Sequence, residues 1–193
     1  MDLVLASTSR YRAALLSRLG TPFVTAAPQC DEQALQARGW PVEALVTELA
    51  RRKAQSVADR FPDALVIGSD QAAELDGRIL GKPGTRAAAR AQLRQLRGRE
   101  HRLLTAICVL QTSAGRLAED LDVHRLRLRD LTDAQIERYV AADNPVDCAG
   151  AYKVEGLGVS LFEHIRGDDF TAVIGLPLTR LVRLLAGFGL ELP

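Results

Sequence analysis

The sequence predicts an α/β fold, a sheet of short strands flanked by helices, on three observations. Short apolar runs alternate with longer segments of helical period along most of the chain. The first such pair, residues 3–6 and then 10–19, runs a strand directly into a hydroxyl-rich helix start. A third run, Ala64-Leu65-Val66-Ile67, is short and β-branched, stops at Gly68-Ser69 and is followed at once by Asp70. A carboxylate at the carboxyl end of a buried strand sits where α/β proteins bind ligands. Asp70 as a simple turn cap is the alternative.

At 193 residues the chain is long enough for one well-packed domain, or one domain with two lobes. Hydrophobic residues at 47% and charged residues at 25% give an ordinary soluble composition. A net charge of +1 gives no global electrostatic case for nucleic acid or a membrane surface. No apolar run is long enough to span a bilayer, and the start, Met1-Asp2-Leu3-Val4, lacks the basic and apolar regions of a signal peptide. Cys30, Cys108 and Cys148 are odd in number and far apart, without a CxxC pair. That argues against a disulfide framework or zinc site and predicts a reducing, cytoplasmic setting.

In chain order, residues 3–6 read as a strand and Ser7-Thr8-Ser9 supply N-caps for a helix over 10–19, closed by Gly20. Arg10 and Arg12 in its first turn oppose the helix dipole, a cost relieved by a bound anion; two solvated arginines are the equal alternative. Residues 23–27 suggest a strand, and Asp31-Glu32 a metal-ligand loop or, more simply, an acidic turn. A helix over 41–58 buries Val42, Leu45, Val46, Leu49 and Val57, with Lys53 the charge placed to reach inward from the edge of that stripe.

Behind Asp70, Asp76-Gly77 predicts a hairpin whose return ends in Gly81-Lys82-Pro83 and can bring a cation toward the carboxylate. An acid and a lysine at the ends of paired strands suggest a metal and phosphate site. Thr85 caps a helix to Leu96, and 103–110 reads as a buried strand. In its partner, 117–128, the hydrophobic phase changes and predicts a bulge near His124-Arg125. Thr132 and Gln135 form a capping box for a helix ending before Asn144-Pro145. Three glycines between 150 and 158, around Glu155, indicate a chain passing close to a ligand or another backbone. Residues 159–165 suggest a strand, 171–174 a short strand or loop, and the final helix buries Leu178, Leu181, Val182 and Leu185. His101, His124 and His164 lack ligand spacing and read as structural strand residues. There is no Ser-His-Asp signature, no GxxxxGK[ST] loop and no GxGxxG.

Taken in order, LASTSRYR at 5–12, DE at 31–32, RRKA at 51–54, GSDQ at 68–71, GKP at 81–83, CAGAYKVEGLG at 148–158 and GLPL at 175–178 resemble the Maf family of nucleoside triphosphate pyrophosphatases. The resemblance spans nearly the whole chain and implies a single domain over 1–193. It implies an inosine triphosphatase-like fold, an elongated curved mixed sheet between two lobes with the active site in the cleft. It implies cleavage between the α- and β-phosphates with a divalent cation, Mg²⁺ or Mn²⁺. Asp70 matches the catalytic acid that accepts a proton from the attacking water. Ser7 and Arg12 match the phosphate-binding helix start, and Glu32, Lys53 and Lys82 the charged positions around triphosphate and metal. Asp70 could handle the water, bind the metal with Glu32, or both. Arg10 departs from the Pro common in the family.

Tyr11, Gln71 and Glu155 occupy the positions that separate two branches of the family, and they are similar to the branch that prefers 7-methyl-GTP. Its usual aromatic is Trp, where this chain has Tyr11. An aromatic face attracts the cationic 7-methylguanine ring, and Glu155 can accept hydrogen bonds from its N1–H and amine. The alternatives are a dTTP or UTP pyrophosphatase and a nucleotide-binding regulator of septum formation. Dimerisation is left open.

Overall fold

A computed structural model describes residues 2–192; Met1, part of the amino-terminal reading, lies outside the described residues. In chain order the elements are β1 (Leu3–Leu5), α1 (Arg10–Leu16), β2 (Phe23–Thr25), α2 (Glu32–Gln36), α3 (Val42–Ala58), β3 (Leu65–Leu75) and β4 (Arg78–Leu80). They continue with α4 (Arg86–Leu96), β5 (Glu100–Gln111), β6 (Arg116–Leu128), α5 (Asp133–Asp143), β7 (Phe162–Arg166), α6 (Phe170–Ile174) and α7 (Leu178–Gly187). The sheet is mixed, with order β2-β1-β3-β5-β6-β7 and β4 paired to β3. β1 runs parallel to both β2 and β3, while the β3–β4 and β6–β7 pairs are antiparallel. The predicted α/β class, a mixed sheet flanked by helices, is what forms.

The chain divides into two compact units, and β3, β5 and β6 each contribute to both. The first unit takes the chain up to Asp70 with Thr105–Asp122 and the segment from Asp169 on. Its main core joins Leu3, Leu5, Leu65 and Ile67 of the strands to Leu15 and Leu16 of α1 and to Leu181 and Leu185 of α7. The other face of β3 meets α3. Gly68 is decisive there, because a Cβ at that position would lie 2.0 Å from the Ala50 carbonyl oxygen. The strand therefore does not stop at Gly68-Ser69 as its composition suggests. It runs on to Leu75, with the glycine admitting the helix backbone.

The second unit takes Gln71–Leu104 and Val123–Asp168. The Asp76-Gly77 hairpin forms as expected, both residues at positive φ, and pairs Ala73 with Leu80. α4 lies against α5 through the ion pairs Arg90–Glu137 at 2.6 Å and Arg97–Asp133 at 2.9 Å. The capping box of Thr132 and Gln135 is complete. Among the described residues no helix is long and apolar enough to cross a membrane.

Three local expectations are corrected. Burial alternates without a break from Asp122 to Leu128, so the hydrophobic phase does not change at His124-Arg125, and the register of β6 against β7 shifts between Arg127 and Leu128. The apparent change of phase arises because Asp122 and His124 are buried, while Val123 faces out. Residues 157–161 form a 3₁₀ turn, so the strand expected from 159 begins at Phe162. Residues 170–174 are helical, because the buried Asp169 caps them by accepting from the Thr171 backbone. The glycine-rich stretch does mark a close approach, of backbone to backbone: a Cβ at Gly158 would meet the Lys153 carbonyl at 2.2 Å.

Candidate active site

Side chains alternate along β3, so Gly68 and Asp70 share one face and Ser69 takes the other. The α3 backbone touches Gly68 through Ala50 and Ala54, and Lys53 stands between those two in sequence. The same close approach that requires glycine thus carries Lys53 to Asp70, and its ammonium donates to Asp70 Oδ1 at 2.6 Å. Lys53 lies within the buried stripe of α3 rather than at its edge, 6% exposed against 7% for Asp70.

Glu32 completes this arrangement. Ser56 of α3 accepts from the Gln29 backbone at 3.0 Å and fastens the loop that leads to α2. Asp31 then caps α2 by accepting from Ala34 at 2.9 Å, so Asp31-Glu32 is a helix start rather than a plain turn. Leu35 packs with Leu45 and Leu49 of α3. Held in this way, Glu32 places Oε1 2.7 Å from the Lys53 ammonium, and one buried cation bridges two carboxylates.

On the opposite face of β3, Ser69 donates to the Gly175 carbonyl at 3.1 Å. Arg12 donates from Nε to the same oxygen at 2.9 Å. The loop bearing Gly175 is braced by Asp169, which accepts from Thr171 and from the Thr179 backbone and hydroxyl. Burial pushes Asp169 up, but these hydrogen bonds outweigh it and hold the carboxyl below its usual range. Ser7 is buried behind β1 and accepts from the Ser9 backbone at 3.1 Å, while Ser9 caps α1.

Burial raises the Asp70 carboxyl above its ordinary value, against the pull of Lys53 and Arg12 and with help from Glu32. Loss of water also lowers the Arg12 guanidinium, against the attraction of Asp70 and Glu32. A carboxyl so placed is suited to take a proton, since a general base works best when its pKa approaches the working pH.

The first unit therefore joins Glu32, Lys53 and Asp70 by ion pairs, with Arg12, held on the Gly175 carbonyl, near enough for its charge to act on both carboxylates. Tyr11 is half-buried on α1, with the Arg10 guanidinium 4.9 Å above its ring and donating to its hydroxyl at 2.9 Å. Lys82, Gln71 and Glu155 belong to the second unit. Lys82 is exposed just beyond β4, and extending the hairpin register would set it across from Gln71. Glu155 is exposed in the glycine-rich segment, and the neighbouring Lys153 caps α5 by donating to the Asp143 and Asn144 carbonyls. Ser69, Gly175 and Asp169 carry no functional signal of their own in the sequence; their roles depend on contacts across more than 100 residues or on a cap with no periodic signal.

A family model described as Maf-like protein matches residues 2–188. The chain belongs to the Maf family. A relative from Xanthomonas campestris pv. campestris (strain 8004), named 7-methyl-GTP pyrophosphatase, is 51% identical to this Maf chain over 99% of it and 98% of the relative. One from Pseudomonas aeruginosa, of the same name, is 46% identical over 100% and 99%. The solved structure of the Staphylococcus aureus Ham1 protein covers 97% of the Maf chain and 99% of its own, at 12% identity and a TM-score of 0.53. That similarity is one of fold.

The donor chemistry suits a hard divalent cation. Among the described residues no group of three or more His, Cys, Asp and Glu side chains is disposed to hold a metal. Two carboxylates converging on one cationic centre are nevertheless what Mg²⁺ ordinarily takes from a protein when phosphates supply further oxygens.

Proposed function

We propose that this Maf protein is a nucleotide pyrophosphatase acting on 7-methyl-GTP and releasing 7-methyl-GMP and pyrophosphate. The observation that carries the chemistry is Asp70, a buried carboxyl raised above its usual range and held by Lys53 beside Glu32. The names of full-length relatives near 50% identity support the substrate. Asp70 accepts a proton from water as its oxygen bonds to phosphorus at the α–β anhydride. The bridging P–O bond breaks and pyrophosphate leaves with the electron pair. Arg12, Lys53 and Lys82 neutralise the triphosphate, and Ser7 donates to it at the start of α1. Glu32 and Asp70 would hold a divalent cation, Mg²⁺ or Mn²⁺, which neutralises charge on the anhydride when bound.

Tyr11, Gln71 and Glu155 select the base in this reading. The cationic methylated ring lies on the aromatic face and Glu155 pairs with the guanine edge. The free thiols Cys30, Cys108 and Cys148 support a reducing, cytoplasmic location.

Pyrophosphate release with Mg²⁺ across 7-methyl-GTP, GTP, UTP, dTTP and ATP tests the proposal. A lead of about ten-fold in kcat/KM for 7-methyl-GTP, about 1.4 kcal/mol of discrimination, is expected. A lead for UTP or dTTP would keep the chemistry and overturn the base assignment. Binding without turnover would favour the regulator.

A further inference from the structure

We infer that Lys53 occupies the cation site between Asp70 and Glu32 until the nucleotide arrives, so that metal enters with the triphosphate rather than before it. The inference rests on the pyrophosphatase reading and deepens it. One ammonium lies 2.6 Å from Asp70 Oδ1 and 2.7 Å from Glu32 Oε1, and its side chain is almost wholly buried in the apolar stripe of α3. A divalent ion that bridges the same two carboxylates takes the place where the ammonium now stands between Asp70 Oδ1 and Glu32 Oε1. Ammonium and metal are competitors for that place.

Charge decides the order. Lys53 and Arg12 against Asp70 and Glu32 sum to zero, so a dication entering alone would leave a partly buried cluster with two uncompensated positive charges. A triphosphate supplies the missing anion. Its oxygens give the ammonium new acceptors, to which the flexible lysine stem can swing, and they complete the shell of the metal. Lys53 thus keeps the carboxylates together in the free protein, prevents their mutual repulsion and moves onto phosphate when the metal replaces it.

The test is Mn²⁺ binding to the full-length, nucleotide-free protein, followed by the paramagnetic resonance signal of free Mn²⁺. K53M is expected to bind Mn²⁺ at least ten-fold more tightly than wild type, K53R about as wild type does, and the added substitution D70N to abolish the gain. A folded K53M that binds Mn²⁺ no more tightly than wild type overturns the inference. If K53M does not fold, by circular dichroism, the lysine ammonium resonances of ¹⁵N-labelled wild type are followed instead, with the Lys53 signal assigned through K53R. That signal should move little with Mg²⁺ alone and strongly with Mg²⁺ plus inorganic triphosphate. Displacement by Mg²⁺ alone, or no displacement by both, overturns it. Wild-type pyrophosphate release is measured alongside: turnover without the metal effect fails this inference only, while the metal effect without turnover fails the pyrophosphatase reading only.

Discussion

Replacing Asp70 with Asn keeps the size of the side chain and removes its capacity to accept a proton. Turnover of 7-methyl-GTP should fall by about 10²–10⁴, the range a general base contributes. Because burial raises Asp70, its ionised form is lost as pH falls through a value above the usual carboxylate range of about 4. The acidic limb of kcat/KM, which reports free-enzyme groups, should therefore begin above pH 4 and rise with pH. A limb at or below pH 4 would place the proton acceptor elsewhere. At the neighbouring residue scale, Arg10 already supplies a cation to the Tyr11 ring. A cationic base on that ring would compete with it, whereas the triphosphate feels Arg10 equally for every nucleotide. Arg10→Ala should raise the ratio of kcat/KM for 7-methyl-GTP over GTP by about two- to five-fold, the scale of 0.5–1 kcal/mol for an exposed cation–π contact. An unchanged ratio would remove Arg10 from base selection.

At the scale of elements, the contact between β3 and α3 sets the site. A methyl group at Gly68 has no space beside Ala50, so Gly68→Ala must push the helix off the strand. We expect a stability loss of about 2–3 kcal/mol in urea unfolding, of the kind overpacking produces. Activity should fall further than stability, because Lys53 moves with the helix. Retained activity at wild-type stability would mean the helix has slack. Much of this was legible in sequence. The α3 period put Lys53 next to core positions, and a β-branched run placed Asp70 at a strand. The end of that strand is not legible, because glycine signals a break locally and only the helix lying on it shows why it does not break. Residues 170–174 hide their helix for a related reason: five residues are too few for a clear period, and the Asp169 cap is fixed by Thr179, ten positions on.

On the scale of the whole molecule, pH acts through a second buried group, far in sequence from the candidate base. His101 on β5 packs with Tyr152 and Phe162, and its Nε2 lies 2.9 Å from the Tyr152 hydroxyl. Burial pushes it down from 6.5 to about 4, despite the attraction of Glu74 and Glu100. In the unfolded chain it titrates near 6.5, so between pH 6.5 and 4 the unfolded state binds a proton that the folded state refuses. Stability is full above 6.5 and falls as the pH drops to 4, by up to about 3 kcal/mol. His101→Gln keeps a hydrogen-bonding partner for Tyr152 and should flatten the urea midpoint across this window. An unchanged slope would assign the acid sensitivity to other groups.

Features encoded within a few residues were settled by the sequence alone: the Asp76-Gly77 turn, the Thr132–Gln135 capping box, the apolar stripe of α3 and the strand leading to Asp70. Each depends on contacts within a single turn of helix or one strand run, and so it is written in local order. Family membership was legible too, because short motifs kept their order over almost the entire chain. Tertiary structure decided what those motifs do to one another. It carried β3 through Gly68, joined Arg12 and Ser69 at the Gly175 carbonyl, and set one lysine between two carboxylates from distant segments. The physical reason is that burial and charge compensation are properties of neighbours in space, and no local pattern records which distant residue will supply them.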